Sequence, residues 1–435
     1  MSDYMFMLDS HLSSEQSRVV ADVQAVAVHA NVNVFLTGGA MRDMLGGFPI
    51  RELDFTVEGP SVKLSKTLAQ KSRAQLLRVD EERKLVLMQF PGGVHASLAM
   101  ARLEKYAKPG AKPQVQPATI HEDLRGRDFT INSIALSLNP ASRGLLLDPN
   151  NGVGDLEHKE LRAVTNYTLY DDPVRLLRLL RFQVKLGFTI GDRTRMQYDN
   201  AREAQLETRI SPQGLLDELH HIANEPRCAE VIQLLDQEKL LQLYSPALTG
   251  AKVNLAGLQK LQKAMQMIPF GADVKMESLG LFLGVLTEKL TAKEKAALIK
   301  ATGMGRADAG RWQQLDARAK KLERELKSAK LQRPSHIYHA LSKAAGDQML
   351  HLLLRSQQRI VQDRIKNYLQ KYLPAALEVT ERDVVATGVQ AGTPKYQRVR
   401  EELISTRLDA RPKKVPPPTE APAPAPGAPP VLARR

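Results

Sequence analysis

The sequence predicts an α+β protein: an N-terminal head built on a mixed sheet, followed by a long all-α remainder. Three observations carry this expectation. The apolar run Val34-Phe35-Leu36 breaks off at Thr37-Gly38-Gly39, as a buried strand ending in a tight turn does. Residues 52–58 alternate strictly, with Leu53, Phe55 and Val57 on one face and Glu52, Asp54, Thr56 and Glu58 on the other. Beyond about residue 139, β-patterns fade and helical periodicity dominates.

Taken in order, the patterns predict a helix over 14–29 and strands near 33–37, 52–58, 85–90 and 94–101. The basic stretch 104–120 reads as a flexible loop, and a helix is expected near 128–137. Residues 145–164 are a turn-rich connection, and 173–186 form a strongly amphipathic helix. Helical segments continue to about 408. The Pro- and Ala-rich stretch 411–435 is expected to be disordered or polyproline-like. These shifts divide the chain into stretches 1–138, 139–220, 221–410 and 411–435.

At 435 residues the chain is too long for one compact core. It has no apolar run of the roughly 20 residues that spans a bilayer, and its start lacks the pattern of a signal peptide. The single Cys228 excludes an internal disulfide and a cysteine-built zinc site. Together these predict a cytoplasmic location without membrane association. The 62 basic against 48 acidic side chains leave a net charge of +14, which suggests a polyanionic partner, nucleic acid above all. Solubility charge alone is the bland alternative.

Four constellations carry chemistry. Gly38-Gly39 before a short helix bearing Arg42 suits a phosphate, because glycines let the backbone approach closely and Arg42 follows one turn later. A tight loop is the simpler reading, and Asp43 would then offset a helix dipole from the first turn. Glu52 and Asp54, two apart on one strand face, can hold divalent cations that prefer oxygen ligands. A merely polar strand face is the alternative. In Arg125-Gly126-Arg127-Asp128-Phe129-Thr130-Ile131-Asn132, Arg127 can reach a phosphate and Asp128 a ribose hydroxyl, with Asn132 one turn on. Asp128 also suits a helix N-cap. Last, Asp171-Asp172-Pro173 opens a helix with Asp172 at the N-cap position and Pro173 at the first helical position. Its arginines recur every three residues at 175, 178 and 181, a stripe that is usually a solvated face. Asp172 and Arg175, three apart, also present the acceptor and donors that read the edge of a base.

The ordered set GGAMRD, ELD, RDFTIN, DPNNGVGDL and DDPVRLLRLLRF resembles the class II tRNA nucleotidyltransferase and bacterial poly(A) polymerase family, within the polymerase β-like nucleotidyltransferase superfamily. The matching motifs cover about 35–188. The resemblance implies a catalytic nucleotidyltransferase head over 1–138, a neck over 139–220 that holds a nucleotide template, and a tRNA-binding body and tail over 221–410. It implies that Glu52 and Asp54 are catalytic carboxylates that bind Mg²⁺. Gly38, Gly39 and Arg42 would contact the triphosphate. Arg127, Asp128 and Asn132 would bind phosphate and ribose. Asp172 and Arg175 would pair with the incoming base, with Arg178 and Arg181 as further nucleotide contacts. The implied reaction is attack of a tRNA 3′-hydroxyl on the α-phosphate of CTP or ATP, with pyrophosphate released. A poly(A) polymerase, an enzyme adding only A or only C, and a catalytically weakened tRNA-binding homologue are the alternatives.

The chain departs from the family pattern at four positions. Glu52 and Asp171 stand where the family usually has Asp and Glu, and Gly126 replaces an arginine. Ser97 stands near where many relatives place a third acid, with His95 on the same strand face. A serine cannot bind Mg²⁺ comparably, so altered metal preference or reduced turnover is expected.

Overall fold

The computed structural model describes residues 3–410, apart from 270, 273, 391 and 392. The expectation for 411–435 therefore lies outside the described residues. The head opens with α1 (Tyr4–His11) and α2 (Ser14–His29). A capping box fixes the start of α2: the Ser13 hydroxyl accepts from the Gln16 N–H while the Gln16 side chain accepts from the Ser13 N–H. Then come β1 (Asn33–Thr37), α3 (Gly38–Leu45), β2 (Glu52–Glu58), α4 (Ser61–Ser72), β3 (Gln75–Asp80), β4 (Leu85–Gln89) and β5 (His95–Met100).

The basic stretch 104–120 is not a free loop. The strands β6 (Arg102–Lys105) and β7 (Gln114–Pro117) pair there as an antiparallel hairpin, and α5 (Ile120–Arg125) follows. The expected helix near 128–137 is also absent. Residues Thr130–Asn132 make one 3₁₀ turn, and β8 (Ala135–Ser137) pairs antiparallel with β1. Tertiary pairing prevails here over a local pattern that suits either element, because the short apolar run completes the head sheet.

After β9 (Leu146–Leu147), the seven-stranded sheet runs β3-β4-β5-β2-β1-β8-β9. Only β2 and β5 lie parallel in it; the other neighbours are antiparallel, so the sheet is mixed as expected. Strand alternation sets its two faces. Val34, Leu36, Leu53, Phe55 and Val57 enter the main core with α2 and α4. Phe35 turns the other way and joins Ile120, Leu124 and Ala135 in a smaller cluster. Glu52, Asp54 and Thr56 share that second face by the same alternation.

The helical remainder follows: α6 (Gly152–His158), β10 (Glu160–Leu161), α7 (Thr168–Asp171), α8 (Val174–Leu186), β11 (Thr189–Ile190), α9 (Asp192–Glu203), α10 (Pro212–Ala223) and α11 (Cys228–Gln237). Further helices continue from Leu255–Met265 to Pro394–Asp409. The main apolar core runs without a break from Leu8 to Leu373, so the head and the helices after it share one packed interior, where the chain's length led us to expect separate cores. None of the described helices is long and apolar enough to cross a membrane.

Candidate active site

The site lies on the open face of the head sheet, where β2 and β5 run parallel and α3 begins. Parallel register sets Asp54 beside Ser97 and Glu52 beside His95. The Asp54 carboxylate is held from two sides: the Gly39 N–H donates to Oδ2 at 3.1 Å and the Ser97 hydroxyl to Oδ1 at 2.7 Å. Gly38 adopts φ +62°, a conformation glycine reaches freely. A Cβ at Gly39 would stand 2.9 Å from Asp54 Oδ2, so this close approach needs a residue without a side chain.

Burial raises the Asp54 carboxyl above its ordinary value, with the Ser97 bond, Arg42 and Arg127 acting against it. Glu52 reaches solvent, yet the surrounding cleft walls raise its carboxyl too, and the Asp54 charge adds to the effect. Two carboxylates on one strand face fit a hard divalent cation such as Mg²⁺. Among the described residues no cluster of three or more acids, histidines or cysteines gathers into a complete cage, so phosphate and water oxygens would fill the remaining positions.

Behind the pair runs a chain of hydrogen bonds joining most of the sequence-predicted residues. Arg127 spans the sheet floor. It donates to the Thr37 and Thr56 hydroxyls (3.3 and 2.9 Å), to Asp123 (2.9 Å) and to the Asn132 carbonyl (3.1 Å). Arg42 is only 5% exposed; it pairs with Asp43 and donates to Asn132 Oδ1 at 2.9 Å. Asp43 thus partners an arginine and does not sit in the first turn of α3, contrary to the dipole reading. The Asn132 amide donates to Asp128 at 3.0 Å, and Arg178 donates to the other Asp128 oxygen at 2.8 Å. Burial would push the Asp128 carboxyl up, but Arg178 and Arg175 hold it well below the usual range.

The arginine stripe of α8 is not a solvated face. Arg178 and Arg181 share Glu218 of α10, and Arg181 also reaches Glu225 at 3.1 Å. Arg181, 4% exposed, is thereby held in the interior, where it stacks on the Phe182 ring at 4.8 Å, the ring that Arg42 also approaches at 5.1 Å. Burial would raise the Glu218 carboxyl, yet Arg181 and Arg178 bring it down to about 2.

Asp172 does not cap α8. The helix begins at Val174 after Pro173 and has no side-chain cap, which leaves Asp172 3.8 Å from Arg175. Arg175 donates to the Thr168 carbonyl at 3.2 Å, while its buried Nε has no hydrogen-bond partner. The hairpin of β6 and β7 leans on the same region, where the Gly110 N–H donates to the Asp171 carbonyl at 3.1 Å. On that hairpin the Tyr106 hydroxyl donates to Glu104 at 2.7 Å. Burial works to raise the Glu104 carboxyl, but Arg102 and this bond hold it at about 2.

Sequence reasoning missed Thr37, Thr56, Asp123, Glu218 and Glu225. Glu218 did leave a signal: it falls on the apolar stripe of α10 with Leu215, Leu219 and Ile222. An acid on a core stripe needs a buried cation, and the arginines spaced by three supply it.

Residues 34–162 match the poly A polymerase head domain. Over these residues the chain is similar to the poly(A) polymerase head-domain family. It is 26% identical over 418 residues to the A-adding tRNA nucleotidyltransferase of Geobacter sulfurreducens, an alignment covering 94% of this chain and 47% of the relative. The CC-adding tRNA nucleotidyltransferase of Deinococcus radiodurans is 35% identical over 201 residues, 46% of this chain and 52% of its own. The chain thus spans about half the length of the curated relatives it matches. A solved CCA-adding enzyme in an apo form shares its fold at TM-score 0.55 and 23% identity, covering 94% of this chain and 96% of that one.

Proposed function

We propose that the chain is a template-independent RNA nucleotidyltransferase that adds CMP, AMP or both to the 3′ end of tRNA, from CTP and ATP, releasing pyrophosphate. The observation that carries this reading is the paired Glu52 and Asp54 beside the Gly38-Gly39 turn, in a head of this family. The stretches 1–138, 139–220 and 221–410 act as catalytic head, nucleotide-selecting neck and tRNA-binding body and tail, and the tRNA substrate places the work in the cytoplasm.

Glu52 and Asp54 would hold Mg²⁺, which when bound acidifies the attacking hydroxyl and neutralises charge on the phosphates. Gly38, Gly39 and Arg42 receive the triphosphate at the start of α3. Arg127 holds the phosphate end from the sheet floor, and Asp128, oriented by Asn132 and Arg178, accepts from the ribose. Asp172 and Arg175 select the base. Arg175 Nε supports this role: it is buried, makes no hydrogen bond and stands 3.8 Å from Asp172 Oδ2, beyond hydrogen-bond reach, so a base acceptor would satisfy it. Arg178 acts through Asp128, and Arg181 serves as its buried support.

The names of the A-adding relatives favour a narrower second reading, addition of the terminal A alone. Labelled ATP and CTP, offered singly and together to tRNA ending before, within and after its CC, test both readings. AMP incorporation only onto tRNA ending in CC selects the narrower one. Absence of incorporation from either nucleotide with Mg²⁺ or Mn²⁺ refutes the enzyme.

A further inference from the structure

The open face of β5 offers Asp54 a hydroxyl where the resemblance leads one to expect a carboxylate. We propose that Ser97 is a positioning residue that orients Asp54 for cation binding. Asp54 faces Ser97 across the parallel β2–β5 register, and the Ser97 hydroxyl donates to Oδ1 at 2.7 Å. The Gly39 N–H holds Oδ2 at 3.1 Å from a different element. Two bonds from two directions, one to each oxygen, fix the carboxylate plane. Each oxygen of a carboxylate accepts about two hydrogen bonds or metal contacts, so one lone-pair site on each remains free and aimed.

The partner carboxylate is built differently. Glu52 is exposed, and its carboxylate makes no hydrogen bond among the described residues. Its extra methylene adds a rotor to a group that nothing anchors. The pair thus joins one fixed ligand and one swinging ligand. Ser97 supplies orientation without a third negative charge, so the order of the site depends on that one hydroxyl. The other register neighbour of Ser97 is Leu87 of β4, which offers Asp54 no polar substitute.

This inference rests on the nucleotidyltransferase reading, and the test separates the two. Mn²⁺ binding to the full chain, without nucleotide because ATP itself chelates the ion, is measured by the loss of the free-ion electron-spin signal. Ser97→Ala weakens that binding about ten-fold, the usual effect of removing a bond that orients a metal ligand. Ser97→Thr keeps the hydroxyl on a strand that tolerates β-branching and stays within about two-fold of wild type. Thermal unfolding of both variants matches wild type. If Ser97→Ala binds Mn²⁺ like wild type, or if the Thr variant fails as badly as the Ala variant, the positioning role is wrong. If wild type itself binds no Mn²⁺ and transfers no nucleotide, the enzyme reading falls and takes this role with it.

Discussion

Glu218→Ala tests the claim that a buried ionic network ties α8 to α10 and, through Arg178, to Asp128. Glu218 is 1% exposed and accepts from Arg181 at 2.9 Å and Arg178 at 3.1 Å. Its removal leaves Arg181 in the interior with Glu225 alone and releases the arginine that holds Asp128. Removing one partner of a buried ion pair costs about 3–5 kcal/mol. The acid–base behaviour gives a similar figure. A carboxyl held at about 2 against an ordinary 4.5 contributes about 3 kcal/mol at neutral pH. Because the folded value is depressed, that contribution is complete above 4.5 and drains away as pH falls toward about 2. Urea unfolding followed by circular dichroism, repeated from pH 7 down to 3, reads both effects. The variant should lose about 3 kcal/mol at pH 7, and the gap to wild type should narrow below pH 4.5. Glu218→Gln, which keeps the shape and loses the charge, should fall between. A loss under about 1 kcal/mol, the size of an exposed ion pair, or a gap that ignores pH, would refute the argument.

Three further outcomes are expected. Asp54→Asn should cut nucleotide transfer roughly 10³-fold with unchanged far-ultraviolet dichroism, since a cation ligand is worth several kcal/mol; cooperative unfolding of this variant would make Asp54 a structural residue instead. Gly39→Ala places a methyl 2.9 Å from Asp54 Oδ2, and should cost about 1–3 kcal/mol in stability together with most transfer activity; a fully active variant would mean that the turn opens before nucleotide binds. Arg175→Ala should change the CTP-to-ATP preference by roughly ten- to a hundred-fold, the discrimination of one good base contact, with tRNA affinity measured by filter binding unchanged; a collapse of tRNA binding at constant preference would reassign Arg175 to the RNA.

The strands that build the site were legible because one face is buried: residues 52–58 alternate in sequence and in the sheet alike. The amphipathic helix after Pro173 was legible for the same reason, through its continuous leucines. Residues 128–137 were not. Their apolar run fits either element, and the pairing of Ala135–Ser137 with β1 is decided about a hundred residues away in sequence. The stretch 104–120 hid its hairpin because prolines, glycines and lysines mark turns without saying what the turns connect. For the site, the carboxylate pair and the glycine turn were visible as local spacing. The partners of the arginines were not. Glu218 and Glu225 lie some forty residues downstream of the stripe they neutralise, so a row that reads as water-facing became interior.

The Gly39–Asp54 bond has a consequence for how the two halves of the cleft communicate. Under the proposed roles, the acid that would receive a cation is tethered to the backbone of the turn that would receive a phosphate. Whatever shifts the turn also tugs on the acid, and whatever pulls the acid moves the turn. Occupancy of the two places is then linked, each visitor changing the other's affinity by the same factor.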